Sequence, residues 1–251
     1  MKLVSLKVIK ESGKRKLFLI PYFFTFANAF FGFVSVLQAL EGNIRLAAYL
    51  IGLAVLMDVL DGRLARAFKS SSALGMELDS LSDAISFCFA PAVLLYSWKL
   101  SDTGLLGIGI LAAYLCAGLL RLAKFNVISN QKETEDFFIG LPTTSAALFL
   151  IHFVLYEQWM VNHFLQPLVT PAGLLVLVAL LAFLMISPIR FPAFKRTYLS
   201  SRVFFFMLAG GGIISIFLLT QKIPVFFLAL CAYIFGSILY AILSFARSLK
   251  N

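Results

Sequence analysis

Charge is what this chain has least of: Asp, Glu, Lys and Arg make up 13% of its 251 residues, against 61% hydrophobic. Soluble domains carry about a quarter charged residues, so an ordinary solvated surface is excluded. Histidine and cysteine are also scarce, at 2 and 3 residues. Cys88, Cys116 and Cys231 lie inside apolar runs at no metal-ligand spacing and read as small buried hydrophobes. His152 and His163 are far apart and near the outer end of their helices, and both read as structural. No internal repeat and no linker-like stretch divides the chain, which leaves a single integral-membrane domain.

What is present in quantity is long apolar sequence. Uncharged runs cover 17–40, 103–120, 143–156, 171–189, 203–221 and 223–246, several of them the roughly 20 residues that cross a bilayer. Two further spans, 44–68 and 73–98, are interrupted by aspartates and would score weakly on hydropathy alone. The expected fold is therefore all-α, an integral membrane protein of about eight transmembrane helices. The fifth, 143–156, is short, with the 137–142 approach available to lengthen it.

The basic residues set the orientation. With both termini in the cytoplasm, only Arg45, Lys99 and Lys222 fall on the outer side, and every other Lys and Arg faces inward. The formal charge of +9 then meets anionic headgroups, with no role in nucleic-acid binding. The first 16 residues form a basic cytoplasmic segment, either an interfacial helix or a plain positive flank, and no cleavable signal is expected. Together these features point to a prokaryotic inner membrane.

Against this background four aspartates stand out. Asp58 and Asp61 are spaced i, i+3, and Asp79 and Asp83 are spaced i, i+4, so each pair shares one helical face at the cytoplasmic end of the second or third span. A buried Asp costs about 2.5–3.5 kcal/mol on insertion scales, and clustered like charges add to that. A compensating cation is required. A carboxylate-rich site without thiolate suits a hard ion such as Mg²⁺ or Mn²⁺, and four Asp can hold two.

Between the pairs stand Gly62, Ala65 and Arg66, a polar turn ending in Ser72, and then Gly75. Small residues admit a bulky group to the backbone, an arginine forks onto phosphate, and serine donates hydrogen bonds. That set suits a pyrophosphate. The matching chemistry is an in-line displacement in which a carboxylate takes the proton of an attacking hydroxyl. Asp83, the last of the four, is the expected base.

The pattern D-x2-D-G-x2-A-R-x8-G-x3-D-x3-D, from Asp58 to Asp83, resembles the signature of the CDP-alcohol phosphatidyltransferases, with every fixed position filled. The resemblance implies a six-helix membrane core, two divalent metals on Asp58, Asp61, Asp79 and Asp83, and Gly62, Arg66 and Ser72 near the CDP moiety. It also implies Asp83 as proton acceptor and a homodimer. On that basis the chain divides into the 1–16 segment, a 17–190 core and a 191–251 C-terminal helical pair.

Further stretches resemble the phosphatidylserine synthase branch: Ile20-Pro21 with Thr25, Asn28 and Gly32, then RLAKFN from Arg121 to Asn126, FIGLP from Phe138 to Pro142, and SPIRFPAFK from Ser187 to Lys195. That branch implies CDP-diacylglycerol and L-serine as substrates. Thr25 and Asn28 are then expected near the CDP-lipid, and Arg121 and Asn126 near serine, with Arg121 clamping the serine carboxylate. One departure from the branch is Thr143-Thr144-Ser145-Ala146-Ala147 where a second proline and an alanine run are usual, which would alter the packing or polarity of helix five. The loop 129–136, with Glu133, Glu135 and Asp136, reads as solvated.

Two alternatives stay open. The same transfer to another alcohol, such as glycerol 3-phosphate, inositol phosphate or choline, keeps every step but the acceptor. A divalent-cation transporter would also carry intramembrane carboxylates, but nearer the midplane and with inverted repeats.

Overall fold

A computed structural model of the chain describes residues 22–67, 72–129, 137–162, 166–192 and 230–237. The described residues are overwhelmingly helical, as the composition requires.

Helix α1, Tyr22–Leu40, carries two stripes. Thr25, Asn28, Gly32, Ser35 and Ala39 are buried, while Phe23, Phe26, Phe30, Phe33, Leu37 and Leu40 are exposed. Both stripes advance in steps of three and four residues, the spacing of one helical face. The usual arrangement for water is inverted here, with small and polar residues inward and large apolar residues outward. Close helix approach through small residues, with polar groups joining neighbours, is the packing mode of helices in lipid. Ser35 Oγ donates to the Ala47 carbonyl at 2.8 Å and Ser86 Oγ to the Asn28 carbonyl at 2.9 Å, tying α1 to both following helices.

Gly42, at φ +84, turns the chain into α2, Ile44–Ala67. Helix α3, Ala73–Asp83, then runs without a break through a wide π turn, Ala84–Phe89, into α4, Ala90–Leu95. A second π turn, Tyr96–Leu100, and a short 3₁₀ turn, Ser101–Thr103, lead to α5, Gly104–Ser129. The helical stretch from 73 to 127 covers 55 residues, and Gly104 at φ +62 reverses it into a hairpin, in keeping with the two spans read in the sequence. The partners run antiparallel: Tyr114 meets Phe87, Gly118 meets Cys88, and Asn126 meets Ser80.

The first π turn has an identifiable cause. Pro91 has no N–H, and its ring crowds the carbonyl four residues back, which is Phe87. That carbonyl instead accepts the Tyr114 hydroxyl at 2.9 Å, with Tyr114 fully buried. The distortion begins at Ala84, immediately after Asp83.

Helix α6, Thr143–Leu155, is buried on nearly every side and forms the centre of the core, with α2 packed along it. It is not extended by the 137–142 approach. Phe137–Ile139 is instead strand β1, paired antiparallel with β2, Arg190–Pro192, in the register Phe138↔Phe191. Gly140, at φ +79, breaks the path between strand and helix, and Pro142 caps α6. A Cβ on Gly140 would lie 2.2 Å from the Met185 carbonyl oxygen, so the glycine of FIGLP is a packing requirement. The helical class stands, with this ribbon as its one strand pair among the described residues.

The chain continues through α7, Glu157–Asn162, and α8, Gln166–Val169, into α9, Pro171–Ile186, which packs along α5. Lys99 pairs with Glu157 and donates to the Val169 carbonyl, joining the hairpin to α7 and α8. His152 bonds the Leu148 carbonyl and stacks on Tyr156, which bears out its structural reading. His163, the loop 130–136 and most of 193–251 lie outside the described residues.

Candidate active site

The C-terminal half of α2 supplies Asp58 and Asp61, and α3 supplies Asp79 and Asp83. One carboxylate oxygen each from Asp58, Asp61 and Asp79 lies within 4.8 Å of the others. Ligands on opposite sides of a divalent ion, with bonds of roughly 2.0–2.4 Å, are about 4–5 Å apart, so this spread is what a single ion spans. Asp61 Oδ2 and Asp79 Oδ1 are buried and have no hydrogen-bond partner. Carboxylates only accept, so converging buried acceptors without donors call for a cation. The residues fit a divalent metal.

Asp83 is not part of that tight group. It is buried, and its Oδ1 accepts from Asn28 Nδ2 at 3.0 Å. Asn28 in turn is held through its backbone carbonyl by Ser86, one turn beyond Asp83. Gly32 makes this approach possible, because a Cβ there would sit 2.2 Å from Ser86 Oγ. Beside Asn28 on the same stripe, Thr25 hydrogen-bonds the Asp61 side chain. Both α1 residues expected near the CDP-lipid therefore address aspartates directly.

The residues between the pairs form the rim. Arg66 is exposed and lies across Gly62, with Nη1 3.6 Å from where a Gly62 Cβ would be. Its charge acts on Asp58, Asp61 and Asp79. Ala65, half-buried, precedes it on α2. Ser72 caps α3 by accepting from the Gly75 amide at 3.0 Å, and its Oγ lies 2.9 Å from the Tyr22 hydroxyl. Gly75 leaves room for that contact, since its Cβ would lie 3.3 Å from the Tyr22 ring.

Arg121 is buried on α5, donates to Thr143 Oγ1 at 3.3 Å, and sits 5.5 Å over the Phe125 ring. It interacts electrostatically with Asp83 and Asp58, which brings it to the aspartate end of the site. Thr143, the first residue of the stretch that departs from the branch pattern, thus gives the arginine a hydroxyl acceptor. Asn126 is engaged differently: its side chain accepts from Ser80 Oγ at 3.1 Å and donates to Glu77 at 3.3 Å. Those contacts fasten α5 to α3.

Several participants carried no signal in the sequence. Ser86 lies three residues past the motif, and Thr143 is separated from Arg121 by the chain between α5 and α6. Tyr233, in the helical stretch 230–237, interacts electrostatically with Arg121 and packs against Phe191, with ring centroids 5.8 Å apart. Only folding brings these residues to the site.

The sequence also matches known proteins. The family model described as CDP-alcohol phosphatidyltransferase matches residues 18–186. A CDP-diacylglycerol–serine O-phosphatidyltransferase of Helicobacter pylori is 34% identical over 192 residues, covering 76% of this chain and 79% of its own. The Methanocaldococcus jannaschii protein of the same name is 34% identical over 229 residues, covering 90% and 96%. That of Bacillus subtilis is 33% identical over 177 residues, covering 70% and 92%.

Proposed function

Because this chain belongs to the CDP-alcohol phosphatidyltransferase family, we propose that it transfers the phosphatidyl group of CDP-diacylglycerol to the hydroxyl of L-serine, yielding phosphatidylserine and CMP. The observation that carries the reading is the convergence of Asp58, Asp61 and Asp79 beside a separately held Asp83, in a chain whose relatives bear that activity in their names.

Mg²⁺ or Mn²⁺ would be held by Asp58, Asp61 and Asp79, with Asp83 completing a two-ion set, and would neutralise the pyrophosphate oxygens and the departing CMP. The chain's own groups do the rest. Arg66, lying over Gly62, forks onto a phosphate, and the small side chains at Gly62, Ala65 and Gly75 admit the nucleotide alongside Ser72 and Thr25. Arg121 takes the serine carboxylate, and Asn126 supports it by keeping α5 against α3. Asp83 accepts the serine hydroxyl proton as that oxygen attacks the phosphatidyl phosphorus. The bond from that phosphorus to the CMP oxygen breaks, and CMP leaves with the electron pair.

In the bilayer, eight helices with both termini in the cytoplasm put this chemistry at the inner face of a prokaryotic cytoplasmic membrane. On this reading 1–16 is the basic cytoplasmic segment, 17–190 the catalytic core and 191–251 a C-terminal helical pair, and the chain works as a homodimer. The large apolar side chains exposed along α1, α5 and α9 support the membrane embedding.

The test is CMP release by purified protein with CDP-diacylglycerol and Mn²⁺ or Mg²⁺. L-serine is offered beside glycerol 3-phosphate, inositol, inositol phosphate and choline. Release with serine alone is expected. Release with another acceptor keeps the chemistry and overturns the serine assignment, and none with any acceptor from folded protein returns the transporter reading.

A further inference from the structure

Asn28 is fully buried, and its two amide atoms are in unequal circumstances. Nδ2 donates to Asp83 Oδ1 at 3.0 Å, while Oδ1 is buried without a hydrogen-bond partner. The orientation is chemically determined: a carboxylate only accepts, so the amide must turn its nitrogen to Asp83 and its oxygen away. Nothing on the helix relieves that oxygen. The Asn28 backbone is fixed by the Ser86 bond to its own carbonyl and by the close Gly32 contact one turn on.

A buried acceptor left unpaired is costly, and a ligand bearing a donor recovers that cost on binding. The position identifies which ligand. The amide oxygen and nitrogen share one carbon, so Oδ1 lies about 5 Å or less from the Asp83 carboxylate. A hydroxyl handing its proton to Asp83 sits about 3 Å from it. A donor on the carbon adjacent to the hydroxyl-bearing one, about 3 Å further on, comes within reach of Asn28 Oδ1. The cytosine of the donor lipid is separated from the reacting phosphorus by the ribose and a second phosphate, too far to supply this contact.

We propose that Asn28 is the acceptor-reading residue of the site, its amide N–H holding Asp83 toward the attacking hydroxyl and its carbonyl oxygen binding the ammonium on the adjacent carbon of a 2-amino alcohol. Arg121, whose charge also acts on Asp83, takes the carboxylate, so a β-hydroxy-α-amino acid meets the site at three points. This reassigns Asn28 from the nucleotide to the acceptor. It rests on the activity proposed above and supplies what that activity lacks, a reason for choosing an amino acid over a simple alcohol.

3-Hydroxypropionate has the hydroxyl and carboxylate of serine but no ammonium, and separates the roles. In wild-type protein its inhibition constant against L-serine should exceed the serine KM by at least about tenfold, the worth of one charge-assisted hydrogen bond. Asn28→Ala should bring the two within about twofold, by raising the serine KM, while the CDP-diacylglycerol KM stays put. Asn28→Ser, which retains an acceptor oxygen in a smaller side chain, should fall between and decides the matter where the alanine variant does not fold. Equal losses for both ligands, or a change confined to CDP-diacylglycerol, would overturn the assignment. So would a wild-type enzyme that binds 3-hydroxypropionate as well as serine. Failure of the activity reading is seen separately and first, as absence of CMP release with serine from the wild-type protein.

Discussion

Asp83 differs from the other three aspartates in its company. Asp58, Asp61 and Asp79 share a volume fit for a cation, whereas Asp83 is oriented by an amide from another helix. A carboxylate whose oxygens are all committed to metal is a poor base, and one that gives a metal only one oxygen keeps a lone pair for a proton. Asp83→Asn should therefore lower kcat by about a hundred- to ten-thousand-fold, the range for loss of a general base, with the CDP-diacylglycerol KM little changed. A near-normal rate would remove the base assignment. Arg121→Ala should raise the serine KM far more than the lipid KM, and Arg121→Lys should not restore it, because a planar fork and an ammonium differ in geometry. Equal effects on both KM values would make Arg121 a helix anchor. Tyr114 is a purely structural case. Tyr114→Phe strands the Phe87 carbonyl beside Pro91 and should cost about 1–3 kcal/mol, read as a lower Tm in detergent.

At the scale of elements, small residues decide how near the helices come. Gly32 lets α1 reach Ser86, and Gly118 lets α5 reach Cys88, where a Cβ would sit 2.4 Å from the sulfur. Gly32→Ala must push α1 away from the π turn and with it Asn28 from Asp83. Its expected signature is a loss of kcat beyond its loss of stability, and parallel small losses would break the link between α1 and the base. Gly140 acts on a different element, the crossing from β1 into α6. Gly140→Ala combines a positive φ with a backbone clash and should destabilise by about 1–3 kcal/mol or more. Local spacing could never have indicated this ribbon, because its second strand comes from 190–192.

At the scale of the whole molecule, the site couples stability to metal. Three converging carboxylates repel one another unless a cation lies among them, so Mg²⁺ or Mn²⁺ at about 100 times its Kd should stabilise the protein by about 2.7 kcal/mol. The check is a rise in Tm on adding the ion, reversed by chelator and abolished in Asp61→Asn. A metal-independent Tm would mean that the carboxylates are neutralised by protons. The proposed homodimer predicts a mass of twice the chain in mild detergent.

What the sequence determined by itself is whatever depends on short-range spacing and on composition. Helical periodicity alone puts Asp58 with Asp61 and Asp79 with Asp83 on shared faces, and the scarcity of charge alone demands a fold with apolar side chains on its outside. The tertiary structure decided everything that joins residues distant in the chain. It made a strand of the residues available to lengthen α6 and set Asn126 against α3. It also set Asp83 apart from its three companions, through a hydrogen bond spanning 55 residues. The physical reason is that backbone hydrogen bonding is local and leaves its periodicity in the sequence, while side-chain contacts between helices depend on which faces meet. No spacing records that until the helices are packed.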